Sequence, residues 1–240
     1  ELGLEPPTTV DDWYIVLKAF KEQKGADTPL TFQGKGNINM TKFVVGAYNT
    51  TLGFYPDNGK VHYGPIEPGY KEFLATFQKW YQEGLIDPDF PSNDQKTMDA
   101  KVTGGRAGAW LGAHGNYIGR IIFLMKEKNE NIDPIPLPYP TLNKGERPKF
   151  GQKDRAYKPN NSVAITTANK YPVESTKWLD YGYSEEGDIL CNWGVEGISH
   201  IRDGNEFKFG EKITNNPEGP INQVWEKYAL KNGPFVMDFK

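Results

Sequence analysis

Residues 107–126 read AGAWLGAHGNYIGRIIFLMK, a stretch typical of a buried strand that turns directly into a helix. Small and apolar residues at 107–111 predict the strand, and the glycine-rich turn at 112–116 follows at once. Residues 117–126 predict the helix. A strand joined to a helix by a short turn is the repeating unit of α/β folds, so this segment predicts an α/β class for the chain.

Helices and strands are predicted to alternate on both sides of this segment. Thr9 and Asp12 form a variant of the capping box, which predicts a helix from there to Gly25. Pro68 predicts the start of a second long helix that stops at Gly84. The other predicted helices are one capped by Ser92 or Asn93, those at 171–183 and 184–193, and a last one at 221–228. The predicted strands are 30–33, 134–140 and 162–166, with hairpin turns at 57–59 and 202–205, while 43–48 fits either a helix or a strand.

Composition excludes several classes of protein. The chain has 240 residues and a net charge of −3, which argues against a nucleic-acid partner because such binding depends on clustered positive charge. Its apolar runs are far too short to cross a bilayer. One cysteine, Cys191, excludes an intrachain disulfide, and its apolar neighbours predict a buried thiol.

Catalytic motifs are scarce in the sequence. The three histidines are scattered, and no nucleophile elbow, Walker loop or dinucleotide fingerprint occurs. Asp87 and Asp89, on either side of Pro88, could form the carboxylate pair of a glycoside hydrolase. The alternative is a turn after a helix, in which an aspartate side chain binds the backbone, and this is the favoured interpretation.

Aromatic residues at glycine-rich junctions suggest a binding site. Trp110, Tyr117 and Trp193 each lie at or beside such a junction. In open α/β sheets, ligands bind at the carboxyl ends of the strands, where these junctions lie. Flat aromatic faces stack on sugar rings, and neighbouring amide or imidazole groups can bind hydroxyls. Tyr117 fits equally well in the hydrophobic core.

Six segments also resemble, in order, those of bacterial extracellular solute-binding proteins, and most of all the carbohydrate-binding lipoproteins of ABC importers. They are LGLEPPTTVDDW at 2–13, GPIEP at 64–68, YQEGLIDPDF at 81–90, GGRAG at 104–108, WLDY with SEEG at 178–187, and WGVEG at 193–197. The resemblance covers nearly the whole chain.

This resemblance implies a periplasmic-binding-protein-like (type II) fold of two lobes. Residues 1–155 would form most of lobe two, and 156–240 would return to a partial lobe one. It implies that the chain is an internal fragment, which alone would bind sugar weakly. Some members of the family carry a calcium loop after the first helix. Here residues 21–27 are too short and too basic for one, so no metal and no cofactor are expected.

The function implied by the resemblance is binding rather than catalysis. The protein would capture an oligosaccharide outside the cell and deliver it to the permease of an ABC importer, held at the cell surface by a lipid anchor or free in the periplasm. The ligand-binding residues that we expect are Gln33, Asn37, Trp110, His114, Asn116, Tyr117, Asn160, Asn161, Trp193 and Glu196.

Overall fold

The structure is a computed structural model, described for residues 2–34, 42–112, 114–128, 132–150, 163–204, 206–230 and 235. The chain divides into two compact units, Glu1–Lys153 and Asp154–Lys240, which we describe separately. Their assignment to lobe two and lobe one stays a prediction.

The first unit opens with the predicted helix, α1 (Val10–Lys24), and the capping box at its start is confirmed. The backbone N–H of Asp12 donates to the Thr9 hydroxyl at 3.1 Å, and Asp12 Oδ2 accepts from the backbone N–H of Thr9 at 3.0 Å. Gly25 ends the helix at φ 69°, a left-handed conformation that glycine adopts without strain. Trp13 and Leu17 on α1 are buried in the main hydrophobic core.

A small parallel sheet lies beside α1. Strand β1 (Leu30–Thr31) pairs in parallel with β4 (Ala109–Trp110), and Leu30 forms a further parallel bridge to Ile86. Because the three segments run in the same direction, the residues that follow them meet at one carboxyl edge. Gly108 is required before β4, since a Cβ there would lie 2.4 Å from the ring of Phe20.

Helices and a hairpin complete the first unit. They are α2 (Lys42–Val45) with a 3₁₀ turn at Gly46–Tyr48, hairpin strands β2 (Phe54–Asp57) and β3 (Lys60–Tyr63), a 3₁₀ turn at Gly64–Ile66, α3 (Pro68–Gln82), α4 (Gln95–Thr103) and α5 (His114–Glu127). Residues 43–48 are therefore helical. The predicted hairpin and the helix that starts at Pro68 are confirmed.

Two sequence predictions for this unit are wrong. Helix α4 is capped by Asp94, whose Oδ1 accepts from the backbone N–H of Thr97 at 2.8 Å, and not by Ser92 or Asn93. The segment 134–140 forms no strand, because its alternating prolines lack the N–H groups that a ladder needs. Only the next residue, Thr141, pairs there, through backbone bonds of 3.0 and 3.1 Å to Val10 and Thr8.

The second unit contains α6 (Pro172–Tyr181), α7 (Glu185–Trp193), hairpin strands β5 (His200–Asp203) and β6 (Glu206–Phe209), α8 (Glu211–Thr214) and α9 (Ile221–Trp225). The two consecutive helices are confirmed, and Ser184 caps the second by accepting from the backbone N–H of Gly187 at 3.0 Å. Cys191 is buried, as predicted.

One prediction for the second unit is wrong, and one helix is shorter than predicted. Residues 163–166 are exposed and form no strand, since they make no ladder with any other described segment. The last predicted helix is confirmed as α9, but it ends at Trp225, and residues 226–228 form a turn. Within the described ranges, each helix is too short or too polar to cross a lipid bilayer.

Candidate functional site

The carboxyl edge of the parallel sheet in the first unit brings two predicted site residues together. Gln33 lies just beyond β1, and Tyr117 lies in the first turns of α5, beyond β4. The Tyr117 hydroxyl donates to Gln33 Oε1 at 2.9 Å. Gly112 makes this approach possible, because a Cβ there would lie 2.4 Å from the Tyr117 ring.

The aromatic ring of Tyr117 is buried, while its hydroxyl forms a hydrogen bond. Its side chain is only 9% exposed, so the ring contributes to the core. Burial, and then the charge of Asp99, raise the pKa of Tyr117, while Arg120 acts in the opposite direction. The hydroxyl therefore stays protonated at neutral pH and donates to Gln33. The Gln33 amide carries two N–H donors of its own, which are suited to a ligand hydroxyl.

The structure describes the other predicted residues of this unit only in part. Trp110 is half-buried and packs on the small cluster formed by Val102, Ile121 and Met125. His114 begins α5 and Asn116 lies in its first turn, but the structure describes only their backbone. Asn37 lies outside the described residues.

Trp193 in the second unit lies against an aromatic hairpin. Its ring stacks on Phe207 at a centroid distance of 5.1 Å and an interplanar angle of 21°, and Phe209 lies 4.9 Å away. Glu196 is exposed and lies 3.6 Å from the guanidinium of Arg202. Asn160 and Asn161 lie outside the described residues.

Sequence reasoning missed a buried polar cluster beneath the carboxyl edge, which we call the Asp87 cluster: Thr31, Asp87, Asn93 and Lys101. Lys101 Nζ donates to both carboxylate oxygens of Asp87 at 2.8 Å. Thr31 Oγ1 and Asn93 Nδ2 donate to Asp87 Oδ2 at 2.6 and 2.7 Å. The only signal in the sequence was a Lys on the buried face of a helix that follows an Asp-Pro-Asp turn.

Burial alone would raise the pKa of Asp87, but hydrogen bonds from Lys101, Thr31 and Asn93 hold that pKa below its ordinary value. A glycosidase acid needs the opposite, a raised pKa and access to substrate. Asp89 lies 3.3 Å from the same ammonium, and its backbone N–H donates to Asp87 Oδ1 at 3.1 Å. The turn interpretation of Asp87 and Asp89 is therefore correct, and this geometry does not support the hydrolase alternative.

A metal site is also not evident in the described part of the chain, where no group of three or more His, Cys, Asp or Glu side chains comes together. In the loop after α1, the Asp27 carboxylate binds Arg106, with Nε–O distances of 3.1 and 2.9 Å.

Residues 1–189 match the sequence model of a family described as bacterial extracellular solute-binding protein. The chain belongs to this family. The resemblance predicted from the six segments is confirmed, and the family consists of binding proteins rather than enzymes.

Individual relatives of this solute-binding protein cover most of its length. Lipoprotein LipO of Bacillus subtilis (strain 168) is 30% identical over 217 residues, which are 85% of the chain and 42% of LipO. The fructooligosaccharide ABC transporter substrate-binding protein FusA of Streptococcus pneumoniae is 28% identical over 234 residues, or 92% of the chain and 41% of FusA. The chain thus spans less than half the length of either relative.

A solved structure of the alginate-binding protein AlgQ2, without calcium ion, matches with a TM-score of 0.69 and 26% identity. The match covers 99% of the chain and 50% of AlgQ2. The predicted type II periplasmic-binding-protein-like α/β fold is thereby confirmed.

Proposed function

We propose that this solute-binding protein captures an oligosaccharide outside the bacterial cell and delivers it to the permease of an ABC importer. The observation that carries the proposal is the Gln33–Tyr117 hydrogen bond of 2.9 Å at the carboxyl edge of the parallel sheet. This edge is where α/β folds bind ligands. FusA and AlgQ2 are named for binding fructooligosaccharide and alginate, which supports the same ligand class for this chain.

The polar groups at this edge suit a ligand that is rich in hydroxyls. Gln33 supplies amide donors and an acceptor, and Tyr117 supplies a neutral hydroxyl. The charged groups of the Asp87 cluster are satisfied by one another beneath the edge. We place Trp110, His114 and Asn116 near the same ligand, and Asn37 with them. We place Asn160, Asn161, Trp193 and Glu196 at a ligand surface of the second unit.

Location and anchoring follow the same reasoning. The family is extracellular, and LipO is named a lipoprotein. We propose that this protein is anchored by lipid at the cell surface, or is free in the periplasm, and that it has no catalytic activity.

Thermal unfolding of the protein extended to the length of the relatives it matches, measured in the presence of saccharides, tests the proposal. The panel contains fructo-oligosaccharides, alginate oligosaccharides and pectin fragments, with free amino acids as the unrelated class. Binding to the native state stabilises it by RT ln(1 + [L]/Kd), so the melting temperature rises with the logarithm of ligand concentration once that concentration exceeds Kd. We expect a rise with at least one oligosaccharide and none with amino acids. Release of reducing sugar from any of them would favour an enzyme instead.

A further inference from the structure

Asn93 holds the backbone on both sides of Gln33. The side-chain Nδ2 of Asn93 donates to the backbone carbonyl of Phe32 at 3.3 Å. The backbone carbonyl of Asn93 accepts from the backbone N–H of Gly34 at 3.2 Å. Gln33 therefore lies between two hydrogen bonds to a single residue. Asn93 is 1% exposed, so water does not compete for these bonds.

Buried charges orient the Asn93 amide. Lys101 Nζ donates to Asn93 Oδ1 at 3.2 Å, and Asn93 Nδ2 donates to Asp87 Oδ2 at 2.7 Å. A flipped amide would turn its N–H groups toward the ammonium and its oxygen toward the carboxylate, and both contacts would be repulsive. The pair of charges therefore sets the single orientation in which Nδ2 reaches Phe32.

Close packing also restrains residues 32–34. The Phe32 ring lies 4.7 Å from the ring of Phe90. A Cβ at Gly34 would lie 2.0 Å from the Phe90 carbonyl oxygen, so the backbone there is in direct contact with the turn that precedes Asn93. The segment is thus held both by packing against Phe90 and by hydrogen bonds with Asn93.

We propose that Asn93 is a positioning residue. Oriented by Lys101 and Asp87, it fixes residues 32–34 so that Gln33 Oε1 can accept the hydrogen bond from the Tyr117 hydroxyl. This inference deepens the proposed function and rests on it for one point, namely that the Gln33–Tyr117 pair faces the ligand. Asn93 itself does not touch the ligand.

The test follows the Tyr117 phenol in the complete 240-residue chain by NMR, with tyrosine labelled by ¹³C at Cζ and the signal assigned from Tyr117→Phe. The phenol is titrated in the wild type and in Asn93→Ala. In Asn93→Ala, Gln33 Oε1 should no longer accept from the Tyr117 hydroxyl, and water should enter. Both changes favour the phenolate, so we expect the raised pKa of Tyr117 to fall toward its ordinary value. The matched control is Asp94→Ala, which removes the cap of α4 but keeps the Asn93 side chain and its bond to Phe32.

The proposal fails if Tyr117 titrates alike in Asn93→Ala and in the wild type, or if Asp94→Ala shifts it equally. If Asn93→Ala does not fold, Asn93→Ser carries the same test, because its shorter side chain cannot reach the Phe32 carbonyl. This readout needs no saccharide. A protein that binds no oligosaccharide would therefore reject the proposed function without affecting the result for Asn93.

Discussion

The Lys101 ammonium lies 2.8 Å from both carboxylate oxygens of Asp87, and both side chains are almost completely buried. Their charges compensate each other in a place where neither could be solvated. The pair joins α4 to the turn that follows Ile86, beside the carboxyl edge of the sheet. Breaking such a pair from one side leaves a buried charge without a partner, which costs more than the pair itself contributes.

Lys101→Met should therefore destabilise the first unit by about 3–5 kcal/mol, the usual cost of an isolated buried charge. In Asp87→Asn/Lys101→Met no charge remains, so the double variant should be clearly more stable than Lys101→Met alone. Urea unfolding followed by fluorescence and circular dichroism measures both. Equal instability of the single and double variants would show that packing, and not charge, is what Lys101 provides.

The capping box predicts a specific dependence of stability on pH. Backbone hydrogen bonds from Thr8 and Thr9, opposed by burial, leave the pKa of Asp12 lowered from 3.8 to about 2. Because the folded pKa lies below the unfolded one, the carboxylate stabilises the fold above about pH 4, and this contribution is lost as the pH falls toward 2. The difference in melting temperature between the wild type and Asp12→Asn should thus shrink between pH 5 and pH 2.

The neighbouring carboxylate provides the control for that experiment. Asp11→Asn removes a charge from the same turn of α1 and leaves the box intact. A difference for Asp12→Asn that stays constant across the acid range would contradict the lowered pKa.

Cys191 should react slowly with a water-soluble disulfide reagent until the protein unfolds. Its side chain is buried, and burial, followed by the charge of Asp188, raises the pKa of the thiol, so little thiolate forms at neutral pH. The comparison is Lys170→Cys in a Cys191→Ser background, which offers an exposed thiol in the same unit. Similar labelling rates for the two native proteins would mean that α7 does not bury Cys191.

Local signals in the sequence predicted local structure well. Thr9 and Asp12 are three residues apart, and Ser184 caps a helix that begins at the next residue, so the groups that bind each other are neighbours in the chain. The prediction at 134–140 fails because strand pairing joins residues that are distant in the chain. A segment becomes a strand only if its N–H groups can bond to a partner alongside, and the alternating prolines remove those donors.

The candidate site also depends on contacts between residues that are distant in the sequence. Tyr117 and Gln33 were predicted separately, but their hydrogen bond joins residues 84 positions apart. The sequence predicts Ser92 or Asn93 as a helix cap, a preferred use of both residue types, because nothing local reveals the buried charges that orient Asn93. The identity of the edge follows from the strand order, whereas the contacts on it depend on packing between distant segments.

We propose that the carboxyl edge with Gln33 and Tyr117 binds an oligosaccharide. Calorimetric titration measures this binding, with the protein extended to the length of the relatives it matches and the three saccharide classes of the panel. Gln33→Ala is compared with Gln82→Ala, an exposed amide on α3. We predict saturable binding of at least one class, weakened roughly 5- to 30-fold by Gln33→Ala, which corresponds to about 1–2 kcal/mol for one lost polar contact, and unchanged by Gln82→Ala. Absence of binding to all three classes, or equal affinity in Gln33→Ala and the wild type, would contradict the claim.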